Sequence, residues 1–359
     1  MKSKTKITVS TMANTRAKVI PVACVLNIVL CALAIVTAAS CKLADLAPDD
    51  HFFVETEGAV LPVWVMRNSD SNAFIIHTHG GMGTSYYKTY YEAYQRLRTD
   101  YNIVFFSQRG VESSQGNPPL NSFNWNQFTR DLELVRKAVA TIYAPESIFI
   151  LGYSWSGYLV KRYLTDTSMQ QEISGYIDLC GMGYDMNRHY GLIQTKVLAE
   201  TSDQKILSWI AMHPEADLEN YLTLVEMTDE LTPQQVWDDW DEQMARTALH
   251  YGAASPVNIF SWMINSSRAM RFSEKWNVMN RAMFDEPLDV SVITIPTLIV
   301  SGAYDYDCND LVGADLYEAI GTPAASKEHY VFPNSGHFPD LCEPELFAQT
   351  VSAFIERHR

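Results

Sequence analysis

The chain has 359 residues, of which 47% are apolar and 19% are charged, a balance that is typical of a globular protein and excludes a disordered one. Its length allows one large α/β domain with an inserted subdomain. The formal net charge of −15 argues against a nucleic acid partner and favours neutral or cationic ones.

Residues 1–41 differ from the rest of the chain. Basic residues precede an apolar run at 19–39, and no acidic residue comes before Asp45, which predicts an export signal. The run ends in Ala38-Ala39-Ser40-Cys41, which resembles the lipobox of a lipoprotein, with Cys41 as the lipid site. Plain cleavage after the small residues and an uncleaved membrane anchor are the alternatives. Each predicts an exported protein that is secreted or attached to the membrane of the cell envelope.

From residue 52 onward, short apolar runs alternate with segments of helical periodicity. The runs suit strands that are buried on both faces, and strands are predicted at 73–78, 102–106, 147–151, 173–179, 297–300 and 329–332. Helices are predicted at 86–98, 125–144, 157–165, 310–320 and 344–357. This alternation predicts an α/β fold in which a mainly parallel sheet carries helices on both faces.

Residues 182–287 interrupt the alternation, because they are acidic and helical in pattern and contain no convincing strand. They lie between two predicted strands of the sheet. The expected organisation is therefore a core at 42–181 and 288–359, with an inserted helical cap at 182–287.

A serine pair marks the first functional motif, Gly152-Tyr153-Ser154-Trp155-Ser156-Gly157. It follows a predicted strand and precedes a predicted helix, which is the context of a nucleophile elbow. The residues two before and two after the nucleophile must be small, because the backbones pack closely there. Ser154 meets this condition, whereas Tyr158 is too large to flank Ser156 in this way. Ser154 is therefore the predicted nucleophile.

Two later loops supply its predicted partners. Asp305 comes after the penultimate strand, and His337 comes after the last one. The order serine, aspartate, histidine is that of α/β-hydrolase triads, and loops after parallel strands meet at one edge of the sheet. Asp307 and Asp310 are close enough to compete for the role of Asp305. A helix-capping histidine and a turn aspartate are the alternatives without catalysis.

The oxyanion of an acyl transfer reaction needs backbone donors. His79-Gly80-Gly81-Met82-Gly83 follows the first long predicted strand, where such a donor is expected, so the N–H groups of Gly81 and Trp155 are the predicted pair. A phosphate-binding loop is the rival interpretation, but the lysine and hydroxyl residue of a P-loop are missing. His77 and His79 could form a metal ligand pair, yet no third ligand has a recognisable spacing, so neither a metal nor a cofactor is predicted.

These motifs resemble the α/β-hydrolase superfamily and, within it, the proline iminopeptidases. The resemblance covers almost the whole predicted core, with Ser107-Gln108-Arg109-Gly110 as a further matching motif. The family has Pro at the place of Met82, Asp at that of Ser107, and Gly-Ser at that of Ser156-Gly157. The resemblance implies a serine peptidase that uses Ser154, Asp305 and His337.

The cap contains Trp237-Asp-Asp-Trp240-Asp241-Glu242. This stretch is similar to a Trp-x-x-Trp-Glu motif of the proline iminopeptidase cap, whose glutamate helps to bind the free α-amino group of the substrate. The resemblance implies that Trp237, Trp240, Asp241 and Glu242 bind substrate, with Asp241 at the position of the glutamate. The alternative is an acidic helix face exposed to water with both tryptophans packed inward.

The function predicted from these patterns is an exported aminopeptidase that releases N-terminal proline or small apolar residues from short peptides. An esterase or amidase for small uncharged substrates is one alternative, and an envelope lipoprotein that binds without catalysis is another. Epoxide hydrolases and dehalogenases require aspartate at the elbow, so Ser154 argues against both. In an oxidising compartment Cys308 and Cys342 could form a disulfide, and buried free thiols are the alternative.

Overall fold

A single mixed sheet organises the protein in a computed structural model, which describes residues 48–81, 88–89, 91–111, 113–250 and 273–359. The strands run in the order β1-β2-β4-β3-β6-β7-β8-β9, and the short strand β5 pairs with β2. Their bounds are β1 (Asp50–Thr56), β2 (Ala59–Met66), β3 (Ala73–Thr78), β4 (Asn102–Phe106), β5 (Gln115–Gly116), β6 (Ser147–Tyr153), β7 (Gly175–Leu179), β8 (Thr297–Gly302) and β9 (Lys327–Phe332).

Strands β4, β3, β6, β7, β8 and β9 are parallel to one another, and these are the six predicted strands. The predicted parallel sheet is confirmed. The antiparallel pairs β1 with β2 and β2 with β4 were not predicted. Pro62 lies inside β2 and lacks the N–H of a ladder donor, so a pattern search does not favour a strand there.

The described residues also form twelve α-helices. They are α1 (Glu92–Leu97), α2 (Trp125–Tyr143), α3 (Trp155–Leu164), α4 (Thr167–Gln170), α5 (Met186–Glu200), α6 (Gln204–Met212), α7 (Leu218–Thr228), α8 (Gln234–His250), α9 (Ser273–Asp285), α10 (Asp310–Ala319), α11 (Pro339–Cys342) and α12 (Pro344–His358). Residue 86, where the first helix was predicted to begin, lies outside the described residues.

Alternate residues along each central strand face opposite sides of the sheet. On one side, Ile75, Leu151 and Ile177 pack with residues of α1 and α12. On the other side, Ile76 and Ile150 pack with residues of α2, α3 and α10. Burial on both faces explains why the strands read as continuous apolar runs.

Between β7 and β8 the described residues form helices α5 to α9 and no strand. This segment touches the core beside the end of β6, where Trp276 of α9 lies 4.5 Å, ring centre to ring centre, from Trp155. Asn280 of α9 also accepts a 2.8 Å hydrogen bond from Trp155 Nε1. The division into a core and a cap at 182–287 stays a prediction.

The export signal predicted from the N-terminal sequence stays a prediction. The predicted signal at 1–41, including Cys41, lies outside the described residues. Within the described ranges, no helix is both long enough and apolar enough to cross a membrane.

Candidate active site

Ser154 lies at the turn between β6 and α3. Its φ of +55° and ψ of −123° form a conformation that residues with a side chain rarely adopt, so the turn is strained. Backbone hydrogen bonds hold it: Ser154 N donates to Leu179 O at 3.0 Å, and Ser154 O accepts from Gly157 N at 2.7 Å. A strained strand-turn-helix of this kind is the geometry of a nucleophile elbow, which exposes the serine hydroxyl at the sheet edge.

The neighbours of Ser154 are small for a steric reason. A Cβ at Gly152 would lie 2.8 Å from the carbonyl oxygen of Ser156. Ser156 itself is buried, donates its hydroxyl to His79 O, and accepts from Gln108 Nε2 at 3.0 Å. Ser156 therefore ties the elbow to the loop after β3 and has no free hydroxyl to react.

Three distant residues form one hydrogen-bonded chain. His337 Nδ1 lies 2.8 Å from Asp305 Oδ2, and His337 Nε2 lies 2.9 Å from Ser154 Oγ. Both bonds are satisfied together when Nδ1 carries the proton, since the ring then donates to the carboxylate and accepts from the hydroxyl. This is the tautomer that a general base needs in order to take a proton from serine.

Of the three candidate aspartates, Asp305, Asp307 and Asp310, it is Asp305 that faces His337. Tyr221 donates its hydroxyl to Asp307, and Lys196 forms an ion pair with Asp310 at 2.7 Å. The second oxygen of Asp305 accepts backbone hydrogen bonds from Asp307 N at 2.9 Å and Cys308 N at 3.0 Å. These bonds fix the carboxylate in the plane where it can orient the imidazole.

The carboxylate of Asp305 and the imidazole of His337 shift each other's pKa. Burial opposes charge on Asp305, but the His337 charge and the hydrogen bonds to the carboxylate outweigh it, and the pKa of Asp305 is lowered. Burial likewise opposes charge on His337, yet the adjacent Asp305 carboxylate prevails and raises the pKa of His337 above its ordinary value of 6.5. Asp305 therefore stabilises the imidazolium that would form during catalysis.

Close backbone contact joins the loops that carry Asp305 and His337. A Cβ at Gly302, the last residue of β8, would lie 1.9 Å from Gly336 O and 2.6 Å from Ser335 O. Tyr304 N also donates to Ser335 O at 3.0 Å. Only glycine at position 302 permits this approach, so this residue sets the distance between the two loops.

The substitution Gly302→Ala is expected to destabilise the protein by at least about 1–3 kcal/mol and to reduce activity, because the new methyl group forces the Asp305 and His337 loops apart. Denaturant unfolding and the rate of Ser154 labelling by a fluorophosphonate measure the two effects. Gly191→Ala is the matched control, since α5 leaves open space at that position and alanine favours a helix. Equal stability of the two variants would contradict the steric argument.

The loop after β3 passes directly over the elbow. A Cβ at Gly80 would lie 3.1 Å from Ser154 Cβ, and one at Gly81 would lie 3.3 Å from Trp155 Cβ. Trp155 is the first residue of α3, where N–H groups have no acceptor within the helix. The structure thus brings both predicted oxyanion donors beside Ser154, and their role stays a prediction.

The two histidines of this loop region are buried without a metal-like arrangement. His79 Nδ1 donates to Gly80 O at 2.6 Å, and its Nε2 accepts from Gln108 N at 3.1 Å. Burial lowers its pKa to about 4, so His79 is neutral. His77 packs between the rings of Tyr94 and Phe105, at 5.3 and 5.0 Å. Both histidines support the loop that carries Gly81.

The cysteines near the site are free thiols. Cys180 and Cys308 are buried and Cys342 is half-buried, and no disulfide joins Cys308 to Cys342. Burial raises the pKa of Cys342 to about 12 and that of Cys308 well above its ordinary value, so neither is a thiolate at neutral pH.

A cavity of about 210 Å³ opens beside His337, between the helical segment and the core. Five aromatic residues form part of its wall, and one carboxylate of the helical segment, the exposed Asp229, also lines it. Burial and the nearby Glu226 raise the pKa of Asp229. The lining residues are Val225, Thr228, Asp229, Thr232, Val236, Trp237, Trp240, Tyr304, Asp305, Tyr306, Asp307, Gly336, His337, Phe338 and Cys342.

The structure separates the predicted cap residues into two groups. Trp237 and Trp240 line the cavity, and the Trp240 ring lies 6.2 Å from that of Phe338. Asp241 and Glu242 are exposed and do not line it, and Glu242 forms an ion pair with Arg246 at 3.0 Å. The structure does not bring these two carboxylates to Ser154.

Sequence reasoning missed Asp229 and a buried ion pair between Lys88 and Asp340. Asp229 is one of many acidic residues in its segment, so no pattern singles it out. A signal for the ion pair did exist. Lys88 is a lone cation among tyrosines, and Asp340 follows His337 by three residues.

The fold and the site define a class of protein, and comparison with known proteins agrees. The model of the α/β-hydrolase fold family matches residues 73–341, and the chain belongs to this family. The protein is therefore a hydrolase.

Individual relatives resemble the chain over most of its length. The proline iminopeptidase PfmaB of Pestalotiopsis fici is 22% identical over 85% of this chain and 99% of its own. A proline iminopeptidase of Levilactobacillus brevis is 24% identical over 78% of this chain and 87% of its own. The structure of the esterase EaEST from Exiguobacterium antarcticum has a TM-score of 0.55 and 17% identity, over 85% of this chain and 98% of the esterase, and shows the shared fold.

Proposed function

We propose that the protein is a serine aminopeptidase that releases a small apolar N-terminal residue, such as proline, from short peptides. The observation that carries the proposal is the chain of hydrogen bonds from Asp305 through His337 to Ser154, beside a small aromatic cavity that also exposes Asp229. The relatives named proline iminopeptidase support the substrate class.

The reaction follows from the geometry. Ser154 Oγ attacks the scissile carbonyl while His337 Nε2, 2.9 Å away, takes the hydroxyl proton. The backbone N–H groups of Gly81 and Trp155 stabilise the oxyanion of the tetrahedral intermediate. His337 then gives its proton to the leaving amine, and water hydrolyses the acyl-enzyme by the same steps in reverse order.

The cavity supports cleavage of a single residue. At about 210 Å³ it is smaller than the roughly 300–1,000 Å³ of drug-sized ligand pockets. Its aromatic wall suits an apolar side chain, which removes apolar surface from water on binding. A cavity of this size holds about one side chain, so the chain end is the part of the substrate that we expect to enter.

Asp229 is the carboxylate that we assign to the substrate's α-ammonium group, in place of Asp241. Its exposed side chain lines the cavity, and within the described part of the chain no protein group donates a hydrogen bond to it. The other lining carboxylates are engaged, Asp305 by His337 and Asp307 by Tyr221. An ammonium group beside Asp229 would favour its charged form.

Asp229→Asn is expected to lower kcat/KM for an aminoacyl arylamide about tenfold, mainly through KM, because the ammonium group loses its counter-charge. Hydrolysis of a simple acyl ester without an amino group is expected to change less than about threefold. Steady-state kinetics on both substrates measure the difference.

Asp241→Asn is the matched control, since this exposed carboxylate lies on the same helical segment and outside the cavity. Its kcat/KM is expected to equal that of the wild type on both substrates. If Asp229→Asn leaves the ratio of the two activities unchanged, the amino group is not recognised there. An esterase for small uncharged substrates is then the better description.

We also propose that the protein is exported, from the basic and apolar pattern of residues 1–41. Cell fractionation and the intact mass of the mature chain test this proposal. A mature N-terminus at Met1 in a cytoplasmic fraction would contradict it.

A further inference from the structure

A buried ion pair lies behind the proposed catalytic histidine. Lys88 Nζ is 2.6 Å from Asp340 Oδ2, and the two side chains are 6% and 0% exposed. Tyr94 donates its hydroxyl to the same carboxylate oxygen at 2.9 Å. The pair joins two parts of the chain that are 252 residues apart.

Contacts lead from this pair to the reacting groups. Lys88 Nζ lies 4.0 Å from the ring centre of Tyr153, the residue directly before Ser154. Tyr153 donates its hydroxyl to His337 O at 3.2 Å, and its ring centre lies 5.3 Å from that of the imidazole. Asp340 belongs to α11, which begins two residues after His337.

Stability alone gives little reason to keep such a pair. Removing two charges from water is costly, and apolar residues of similar volume often stabilise a core as well or better. A buried pair does impose one geometry on its partners, because both charges must stay matched. Here those partners are Tyr153 and the loop that carries His337.

We propose that Lys88 and Asp340 are positioning residues, whose ion pair holds Tyr153 against the carbonyl of His337 and so keeps the imidazole in line with Ser154. The inference rests on the proposed serine mechanism and is independent of which acyl substrate is natural. Neither residue touches the reacting atoms. Both act through Tyr153 and the backbone of the histidine loop.

The charges of the pair also act on His337. Burial lowers the pKa of His337, Asp305 and Asp307 raise it, and Lys88 lowers it, while the Tyr153 ring lies beside the imidazole at an angle of 44°. Loss of the Lys88 charge therefore raises the pKa of His337. Loss of the Asp340 charge leaves Lys88 without its counter-charge, so we expect the pKa of His337 to fall as long as Lys88 stays charged.

The test is the rate of Ser154 labelling by a fluorophosphonate between pH 5 and pH 10, for Lys88→Met and Asp340→Asn. Both variants are expected to label about 10- to 100-fold more slowly at the plateau, because the imidazole is less well aligned. The acid limb is expected to move to higher pH in Lys88→Met and to lower pH in Asp340→Asn. Lys88→Arg keeps the charge and is expected to keep the acid limb of the wild type.

A matched control exists on the other face of the sheet. There Glu133 pairs with Arg136 and accepts a hydrogen bond from Tyr163, just as Asp340 pairs with Lys88 and accepts one from Tyr94. Arg136→Met and Glu133→Gln are expected to leave the acid limb in place. If a single variant of the ion pair folds poorly, the double variant Lys88→Met/Asp340→Leu takes its place, because it removes both charges and keeps an apolar contact.

Three results would overturn the inference: acid limbs that do not move, acid limbs that move in the same direction in both single variants, or a folded double variant that labels at the wild-type rate. Failure of the wild type to label is a different outcome, because it contradicts the proposed serine mechanism itself. Failure of Asp229→Asn to change substrate preference leaves the labelling result intact, since the probe carries no amino group.

Discussion

Ser154→Ala is expected to lower kcat/KM by about 10⁴- to 10⁶-fold and to abolish labelling by a fluorophosphonate. The hydroxyl 2.9 Å from His337 Nε2 is the atom that would form the acyl-enzyme, and alanine leaves nothing to attack the carbonyl. The fold is expected to persist, because alanine keeps the Cβ of the turn and removes only the hydroxyl. Mass spectrometry of the labelled protein and steady-state kinetics give the two measurements.

Ser156→Ala is the control for that experiment. Ser156 is two residues away and buried, and its hydroxyl bonds to His79 and Gln108. Its loss is expected to cost about 1–3 kcal/mol of unfolding free energy, since buried partners lose a hydrogen bond, while Ser154 still labels. Labelling of Ser154→Ala at Ser156 would mean that the elbow is misassigned.

Asp305→Asn is expected to lower kcat by about 10⁴-fold without unfolding the protein. The amide can still accept the backbone hydrogen bonds of Asp307 and Cys308, but it neither fixes the productive tautomer of His337 nor stabilises its charge. Asp307→Asn is the control, because that carboxylate bonds to Tyr221, and a loss below about tenfold is expected.

The pH dependence gives this variant a second measurement. His337 must be neutral to act as a base, so kcat/KM of the wild type rises with pH through the pKa of His337. Asp305 raises that pKa, which places the midpoint above 6.5 in the wild type. Without the carboxylate charge the midpoint is expected to move to lower pH. A midpoint that stays in place would show that Asp305 is not coupled to His337.

The cap shows what a local motif leaves open. Asp241 follows Trp240 as the resemblance requires, but a helix turns each successive residue by about 100°, and α8 leaves Asp241 exposed while Trp240 lines the cavity. Asp229, in the turn after α7, lines the cavity instead. A local motif cannot say which side of its helix meets the core.

The parallel sheet and the residues at the ends of its strands were readable from the chain alone, because buried strands are apolar runs and parallel strands end at a common edge. That logic pointed to Ser154, Asp305 and His337, and to Gly81 and Trp155 near them. It missed β1 and β2. In β2, Pro62 lacks the N–H of a ladder donor, so the pattern does not favour a strand there.

The order of strands and the types of residue that follow them are local properties, and the sequence by itself determined the fold class and the candidate triad. Only the tertiary structure decided that Asp305 faces His337 while Asp307 and Asp310 bond elsewhere, that Asp229 reaches the cavity, and that Lys88 pairs with Asp340. The physical reason is that hydrogen bonds and ion pairs depend on distances of a few ångströms between segments far apart in the chain, and packing of the whole molecule sets those distances.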